Sequence, residues 1–271
     1  MLMKLRATKQ IYDLVVSKIE FREKSGVLHD DTLQMLLDSE ADHFMIVGFI
    51  MGLLIAGARS TGTTASWLIT FLGCHPEWRT KARTEVQSLL ASHSYPITSS
   101  FAPSAASPLS SIPLAAWESS APILDALIRE TLRIAQPHVA MRRNQGPPIT
   151  IGGKTLPTGG FAIYPFSDVH LNAELYPDPL TFDPARPVQK DDFAYIGWGG
   201  GRVNCLGTRL AKLEMKLIAA MFLLNFEFHI VDAEGSPADP HPQPNWNDTL
   251  MCKPANGSFF LDYKRREDAS L

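Results

Sequence analysis

The feature that most restricts the fold is an uninterrupted apolar stretch over residues 41–73. It contains no proline, and apolar residues occupy nearly every side of the helix that it predicts. Its most apolar part, residues 44–58, is 15 residues long, whereas a helix that spans a bilayer needs about 20 apolar residues. Arg59 and the polar run STGTT interrupt it. The stretch therefore favours a buried core helix, and no membrane span is predicted.

The composition is that of a globular protein, with 45% hydrophobic and 20% charged residues among 271. A formal net charge of −3 gives no reason to expect a nucleic acid as partner. The three cysteines, Cys74, Cys205 and Cys252, lie far apart without zinc-ligand spacing. So few thiols fit a reducing compartment rather than a disulfide framework. The N-terminal residues intersperse charges and lack a cleavage site, which argues against a signal peptide.

The pattern of the remaining residues predicts a mainly α protein with a minor β portion. The Ser/Pro/Ala-rich residues 92–120 are predicted to be a loop with at most one helical turn. After Pro137, short β-type runs separated by glycines predict hairpins, and the proline-rich residues 172–193 predict irregular structure. The tail contains the strand NFEFHIV, and Asn256–Gly257 predicts another hairpin. Helices are predicted over 5–24, 31–39, 41–73, from Pro76 onward, 122–135 and about 206–224.

Cys205 lies between a glycine run and a predicted helix, in the segment AYIGWGGGRVNCLG. Backbone N–H groups and the positive end of a helix stabilise a thiolate, and glycines let the backbone approach a flat ligand. Gly207 removes a side chain where a planar group would press, so the segment suits a thiolate that binds a metal within a macrocycle. Two alternatives are a small buried cysteine and a phosphate-binding loop with Glu227 downstream, although the G-x-G-x-x-G spacing is not met.

Glu130 occupies an apolar stripe of the helix over 122–135. Ile123, Leu127, Glu130 and Ile134 follow one another at intervals of four, three and four residues, which places them on one face of the helix. The carboxylate of Glu130 is therefore expected to point inward. A buried carboxylate needs a cation, and Arg133 at i+3 is the nearest one in sequence. The alternative is an ordinary surface ion pair.

A polar patch, AGARSTGTT, interrupts the long apolar helix at residues 56–64. A Ser or Thr hydroxyl within a helix can bond the carbonyl four residues back and bend the helix. Gly57 would open space beside Ser60 and Thr61 at such a bend. The alternative is a kinked core helix that packs through small residues.

These motifs together resemble those of the cytochrome P450 family. WGGGRVNCLG is similar to its haem-binding pattern F-x-x-G-x-R-x-C-x-G, with Val203 at the usual arginine position. The resemblance implies haem b, iron protoporphyrin IX, as cofactor and Cys205 as the axial ligand of its iron. Arg142 or Arg143 is a further candidate for a propionate contact, and the alternative is a solvated basic pair. His170, in DVHLNAELYPDP, resembles a position of the family, although a lone histidine is more often a satisfied surface or core residue. The cofactor-binding residues implied are Trp198, Gly199, Gly201, Arg202, Cys205 and Gly207.

Two further motifs resemble the same family. ETLR matches E-x-x-R, and PDPLTFDPARP is similar to P-x-x-F-x-P-E-R-F, which implies a structural triad of Glu130, Arg133 and Arg186. The polar patch is similar to A-G-x-[D/E]-T-[T/S], which implies oxygen binding and proton delivery by Gly57, Ser60 and Thr61. Arg59 stands where the family has an acid, and a permanently protonated guanidinium does not relay protons as a carboxylate does.

The resemblance implies a haem-thiolate monooxygenase that inserts one oxygen atom of O2 into a hydrophobic small molecule, with electrons from an NADPH-dependent reductase. Residues 1–271 are expected to be the C-terminal portion of a single domain of this fold, without its N-terminal part. That domain would comprise the haem-crossing helix 41–73, the E-x-x-R helix 122–135, and the haem-thiolate loop and helix 194–224. A full-length protein would lie on the cytosolic face of the endoplasmic reticulum membrane, attached through the missing N-terminal anchor.

Two alternatives come from the departures from the family. Arg59 in place of the acid favours a haem-dependent isomerase or dehydratase that acts on peroxides. The missing upstream half favours an inactive truncated fragment.

Overall fold

The structure is a computed structural model that describes residues 2–39, 41–93, 108–136, 138–249 and 251–267. It divides into two compact units, Met1–Ser60 and Thr61–Leu271. Helices dominate, and the strands form four small two-stranded sheets among the described residues. The predicted fold class, mainly α with a minor β portion, is confirmed.

The first unit consists of helices α1 (Leu2–Ser25), α2 (Thr32–Asp38) and the first half of α3 (His43–Cys74). Asp31 begins α2 by accepting the backbone N–H of Gln34 at 2.9 Å, as N-cap residues do. The same carboxylate binds the guanidinium of Arg22 in α1, which fixes the connection between the two helices. A small core joins α1 to α3 through Val15, Ile19, Ile46 and Val47.

The prediction that α3 runs through a core is right for its second half and wrong for its first. Trp67, Leu68 and Leu72 are buried, because the second half packs in the core of the second unit. The first half instead exposes large apolar side chains: Phe44, Met45, Phe49, Leu53, Leu54 and Ile55.

By length and composition alone, α3 is able to cross a membrane, although core helices pass the same test. Only 17% of its most apolar 18-residue window is buried. The prediction against a span considered only the 15 residues 44–58, whereas the helix has 32.

The core of the second unit lies between α3, α4 (Pro76–His93), α6 (Pro122–Ile134) and α8 (Thr208–Asn225). The prediction of at most one helical turn within 92–120 is wrong: a 3-10 turn (Pro108–Ser111) and α5 (Leu114–Ser119) both form, while residues 94–107 lie outside the described part. Each is anchored by an apolar side chain, Leu109 and Trp117. The side chains shared by these helices include Leu68, Phe71, Leu72, Val86, Leu89, Leu124, Leu127, Ile128, Met215, Ala219 and Leu223.

The strands after Pro137 form the predicted hairpins. β1 (Val139–Arg143) pairs with β4 (Phe161–Pro165), and within that loop β2 (Ile149–Ile151) pairs with β3 (Lys154–Leu156), all antiparallel. Gly152 and Gly153 connect β2 to β3 with φ of +57° and +76°, which only glycine adopts without strain. α7 (Phe166–His170) follows, and residues 172–193 contain no helix or strand, as predicted.

The remaining strands are β5 (Gly199–Gly200), β6 (Val203–Asn204), β7 (Phe226–Val231) and β8 (Phe260–Arg265). The expected local hairpin about Asn256–Gly257 is wrong. The strand after that dipeptide, β8, instead pairs antiparallel with β7. Phe226 lies opposite Arg265 at one end of this pairing, and Val231 lies opposite Phe260 at the other. Burial of Phe228 and Ile230 on one side of β7 favours this longer-range pairing.

Candidate haem-thiolate site

The cysteine loop is a tight turn built on glycines. β5 pairs with β6 through Gly199 opposite Asn204 and Gly200 opposite Val203, and the backbone N–H of Cys205 donates to the carbonyl of Trp198 at 2.7 Å. Gly199 has a φ of +87°, and a Cβ on it would lie 2.6 Å from the carbonyl oxygen of Val203. A side chain is therefore excluded at position 199 by both conformation and space.

Cys205 is exposed at the end of this turn, directly before α8. Its carbonyl accepts the hydroxyl of Thr208 at 2.8 Å, and the carbonyl of Gly207 accepts the N–H of Ala211 at 2.8 Å as α8 begins. A Cβ on Gly207 would lie 4.0 Å from Sγ of Cys205, an ordinary contact distance. The thiolate is the form of a cysteine that binds a metal.

The residues around the thiol include exposed apolar side chains. Val203, Leu206 and Leu210 are exposed, with 98% of Leu206 accessible, beside the exposed Arg202 and Arg209. An exposed thiol among exposed apolar side chains, on a turn whose glycines carry no side chains, fits a flat and largely apolar group with a metal at its centre. The residues present thus fit the haem that the motif implies.

The other candidates in this loop differ in environment. Trp198 is partly buried and packs on the core of the second unit, whereas Arg202 is exposed and Gly201 turns the chain with a φ of +63°. Among the suggested propionate contacts, Arg142 donates to the adjacent carbonyl of Met141. Arg143 lies over the ring of Phe161.

Four hydrogen bonds hold the segment before Cys205 from its buried side. Nε2 of Gln136 donates to the carbonyl of Gly197 at 2.7 Å. The hydroxyl of Tyr176 donates to the carbonyl of Ala194 at 2.9 Å. The hydroxyl of Tyr195 donates to the carbonyl of Arg129 at 3.3 Å. The fourth bond, to Ile196, comes from a histidine described below. The loop is therefore fixed to α6 and to the irregular segment rather than only to its own turn.

The structure brings Glu130, Arg133 and Arg186 together. Arg133 binds both carboxylate oxygens of Glu130, at 2.8 and 2.9 Å, and Nε of Arg186 donates to the same carboxylate at 3.2 Å. The side chains of Arg133 and Glu130 are only 1% and 3% exposed, so the alternative of an ordinary surface pair is excluded.

Arg133 also joins this cluster to the irregular segment. Its Nη1 donates to the carbonyls of His170 and Pro179, at 2.8 and 2.7 Å, and its Nη2 donates to that of Thr181 at 3.2 Å. The backbone N–H of Asp183 donates to Glu130 at 3.0 Å. The cluster therefore fixes the backbone of residues 170–183, where no regular structure does so.

His170 is a functional candidate that the sequence analysis underestimated. It is fully buried, and its Nε2 accepts the backbone N–H of Ile196 at 3.0 Å. Its ring stacks on Tyr195 with 5.3 Å between centroids. Burial, and then the charge of Arg133, lower the pKa of His170 to about 3. The stretch DVHLNAELYPDP resembles a position of the family, but it has no helical or strand periodicity that would indicate an inward-pointing side chain.

The oxygen-side candidates lie in the middle of α3. Oγ of Ser60 donates to the carbonyl of Ala56 at 2.8 Å, the i−4 bond expected of a helical serine. Thr61 is buried, and a Cβ on Gly57 would meet nothing within 4 Å. Gly57 and Ser60 belong to the first unit and Thr61 to the second.

The family model for cytochrome P450 matches residues 2–259 of this chain, so the chain belongs to the cytochrome P450 family. It is 34% identical to the cytochrome P450 monooxygenase AacuE of Aspergillus aculeatus, over 86% of this chain and 49% of the relative. It is 32% identical to the monooxygenase dmxR5 of a Cryptosporiopsis species, over 83% and 44%. It is also 29% identical to the human lanosterol 14-alpha demethylase, over 96% and 48%. The chain thus spans about half the length of the curated relatives that it matches.

Proposed function

We propose that this chain belongs to a haem-thiolate monooxygenase in which Sγ of Cys205 is the axial ligand of the iron of haem b. The observation that carries the proposal is the exposed thiol on a glycine turn at the start of α8, anchored from behind to a buried ion-pair cluster. Membership of the cytochrome P450 family and the monooxygenase names of the relatives support it. When bound, the haem supplies the chemistry that inserts one oxygen atom of O2 into a hydrophobic substrate and releases the other as water.

The protein's own contribution at the cysteine is position and space. Gly199, Gly201 and Gly207 carry no side chains and would leave room for the haem, and Trp198 and Arg202 would help to hold it. The cluster of Glu130, Arg133 and Arg186 keeps the irregular segment in place behind the loop, and its role is structural. We propose no direct contact between this cluster and the reacting groups.

Ser60 and Thr61 are proposed to serve oxygen binding and proton delivery, with Gly57 leaving room beside them. Oγ of Ser60 is the preferred proton donor, and it must exchange its bond to the carbonyl of Ala56 for a bond toward the site. A guanidinium does not relay protons as a carboxylate does, so water is proposed to replace the acid that the family motif carries.

The proposed partners are an NADPH-dependent reductase as electron donor and a hydrophobic small molecule as substrate. For the full-length protein we propose the cytosolic face of the endoplasmic reticulum membrane. Three of the relatives are named lanosterol 14-alpha demethylases, so the substrate in their names is lanosterol.

The test of Cys205 is a carbon monoxide difference spectrum of the reduced, haem-reconstituted chain. A strongly red-shifted Soret band is expected, since that band requires thiolate ligation. Cys205→Ser should lose the band while the matched variant Cys74→Ser retains it. A band that persists in Cys205→Ser would overturn the assignment of the ligand. A chain that stays colourless after reconstitution would indicate instead an inactive fragment.

A second candidate function is a haem-dependent peroxide isomerase or dehydratase, favoured by Arg59 at the position of the acid. This activity needs no reductase. Turnover of a fatty-acid hydroperoxide, with none of any apolar substrate in the presence of reductase and NADPH, would favour it. Turnover that depends strictly on NADPH would favour the monooxygenase.

A further inference from the structure

We propose that His170 is a positioning residue for Cys205, which links the buried ion-pair cluster to the cysteine loop by accepting the backbone N–H of Ile196. The inference rests on the proposed function, since position matters there only if Cys205 binds a haem iron. It concerns a residue outside the cysteine motif and outside the cluster of Glu130, Arg133 and Arg186. It assigns His170 no contact with substrate or haem.

A continuous set of contacts runs from the buried ion-pair cluster to the cysteine loop. Arg133, held by Glu130, donates to the backbone carbonyl of His170 at 2.8 Å. The imidazole of His170 accepts the N–H of Ile196 at 3.0 Å. The carbonyl of Ile196 then accepts the N–H of Gly199 at 2.8 Å, at the start of the turn. The displacement of one member therefore shifts the next.

The β5–β6 turn connects the position of Ile196 to that of the Cys205 thiol. Gly199 pairs with Asn204, the residue before Cys205, and the N–H of Cys205 donates to Trp198. The turn is short and its only freedom lies at the glycines, which are flexible in the unfolded chain. An anchor outside the turn is therefore needed to keep its base fixed, and Ile196 lies at that base with 1% of its side chain exposed.

The contact with Ile196 also fixes the tautomer of the His170 ring. A backbone N–H is a donor, so Nε2 must carry no proton and the neutral ring must be protonated at Nδ1. Nδ1 is buried without a hydrogen-bond partner in the described part of the chain. A buried N–H donor without a partner is unfavourable, so Nδ1 does not stabilise this orientation of the ring. The hydrogen bond at Nε2 and the stacking on Tyr195 do. The hydrogen bond at Nε2 therefore holds the loop even though burial of Nδ1 without a partner is unfavourable.

The experiment compares two substitutions at position 170. His170→Phe retains an aromatic ring against Tyr195 but removes the acceptor. His170→Gln places Oε1 the same number of bonds from Cα as Nε2, so it restores an acceptor. His75→Phe is the control, because His75 also has an aromatic neighbour, Phe182, but its ring hydrogen bond is to Phe71.

Two readouts are measured on the purified chain. The first is hydrogen–deuterium exchange of the backbone over residues 194–200 without haem. His170→Phe should speed exchange there about tenfold, as expected for the loss of one buried hydrogen bond, and His170→Gln should return it to within about threefold of the original chain. The second is the fraction of bound haem that gives the thiolate band, which should fall in His170→Phe and recover in His170→Gln.

The outcomes separate this inference from the proposed function. A red-shifted band in the original chain, with neither readout changed by His170→Phe, overturns the role of His170 and leaves Cys205 as the ligand. No red-shifted band in the original chain overturns the proposed function, while the exchange of residues 194–200 still decides whether His170 holds the loop. Acceleration that extends equally to α4, or no recovery in His170→Gln, contradicts a positioning role.

Discussion

Arg133 holds Glu130 by two parallel hydrogen bonds inside the protein, with 1% and 3% of their side chains exposed. Such a pair has lost its water on both sides, so each partner depends on the other. Arg133→Met should destabilise the second unit by about 3–5 kcal/mol, because among the described residues the carboxylate of Glu130 keeps only Arg186 and one backbone N–H as partners. Urea unfolding followed by far-ultraviolet circular dichroism, which reports on the helices of both units, measures this.

The matched control is an exposed ion pair in the same chain. Lys9 binds Asp13 at 2.7 Å with 73% and 55% of their side chains exposed. Lys9→Met should change stability by less than about 1 kcal/mol. Equal effects of the two substitutions would contradict the importance of burial.

Lys216 offers a second test of a buried charge. Its Nζ donates to the carbonyl of Trp117 at 2.6 Å and to Asp125 at 2.9 Å, and its side chain is 3% exposed. Lys216→Met should cost about 1–3 kcal/mol, since the carbonyl of Trp117 loses its donor. Lys212 is 3.7 Å from the same Asp125 with 40% of its side chain exposed, so Lys212→Met should cost less than about 1 kcal/mol. If the two variants unfold at the same urea concentration, the buried carbonyl contributes nothing.

Gly199→Ala tests the strain in the cysteine turn. The φ of +87° and the 2.6 Å approach to the carbonyl of Val203 should make the variant less stable by about 1–3 kcal/mol. Gly62→Ala, in the interior of α3 where a Cβ would meet nothing within 4 Å, should instead stabilise by about 0.5–1 kcal/mol. Thermal unfolding by circular dichroism gives both signs. A neutral Gly199→Ala would mean that the turn relaxes without cost.

The buried imidazole of His170 should make stability depend on pH. Its folded-state pKa of about 3 lies below the ordinary value of 6.5, so the unfolded chain binds a proton that the folded chain rejects. The stability that this group contributes is complete above pH 6.5 and is lost as the pH falls toward 3, by about 1.4 kcal/mol per pH unit. His138 and His241, whose pKa values burial also lowers, act in the same direction.

The comparison with His170→Gln isolates this contribution, because glutamine does not titrate. The free energy of unfolding of the original chain minus that of the variant should decrease steadily between about pH 6.5 and pH 5. Urea unfolding of both proteins at three pH values in this range measures it. A difference that stays constant with pH would show that the imidazole is accessible to protons in the folded state.

The long helices were predictable because each carries its own local signal, whereas the short helices α5 and α7 were not predicted. Pro76 and Pro122 mark helix starts, and the stripe that contains Glu130 identified both the buried face of α6 and the partner at i+3. The glycines around Cys205 likewise predicted a turn, since their conformational freedom is a local property. These features need no information about distant parts of the chain.

What escaped prediction depends on contacts between distant residues. The contact of His170 with Ile196 joins the last residue of the short helix α7 to an irregular segment 26 positions further on, and no periodicity marks either end. The strand after Asn256–Gly257 pairs with β7 because that face is buried, which overrides the local turn signal. The exposure of the first half of α3 depends on which elements pack on it, and a uniformly apolar helix shows no preferred face.

The three thiols of the chain differ sharply in chemical accessibility. Burial raises the pKa of Cys74 to about 11 and that of Cys252 to about 12, so both remain protonated and unreactive near neutral pH. Cys205 is exposed. A maleimide or iodoacetamide reagent should therefore attach once, at the proposed iron ligand. Protection from alkylation would then count the molecules in which that sulfur is already bonded, without reference to colour or turnover.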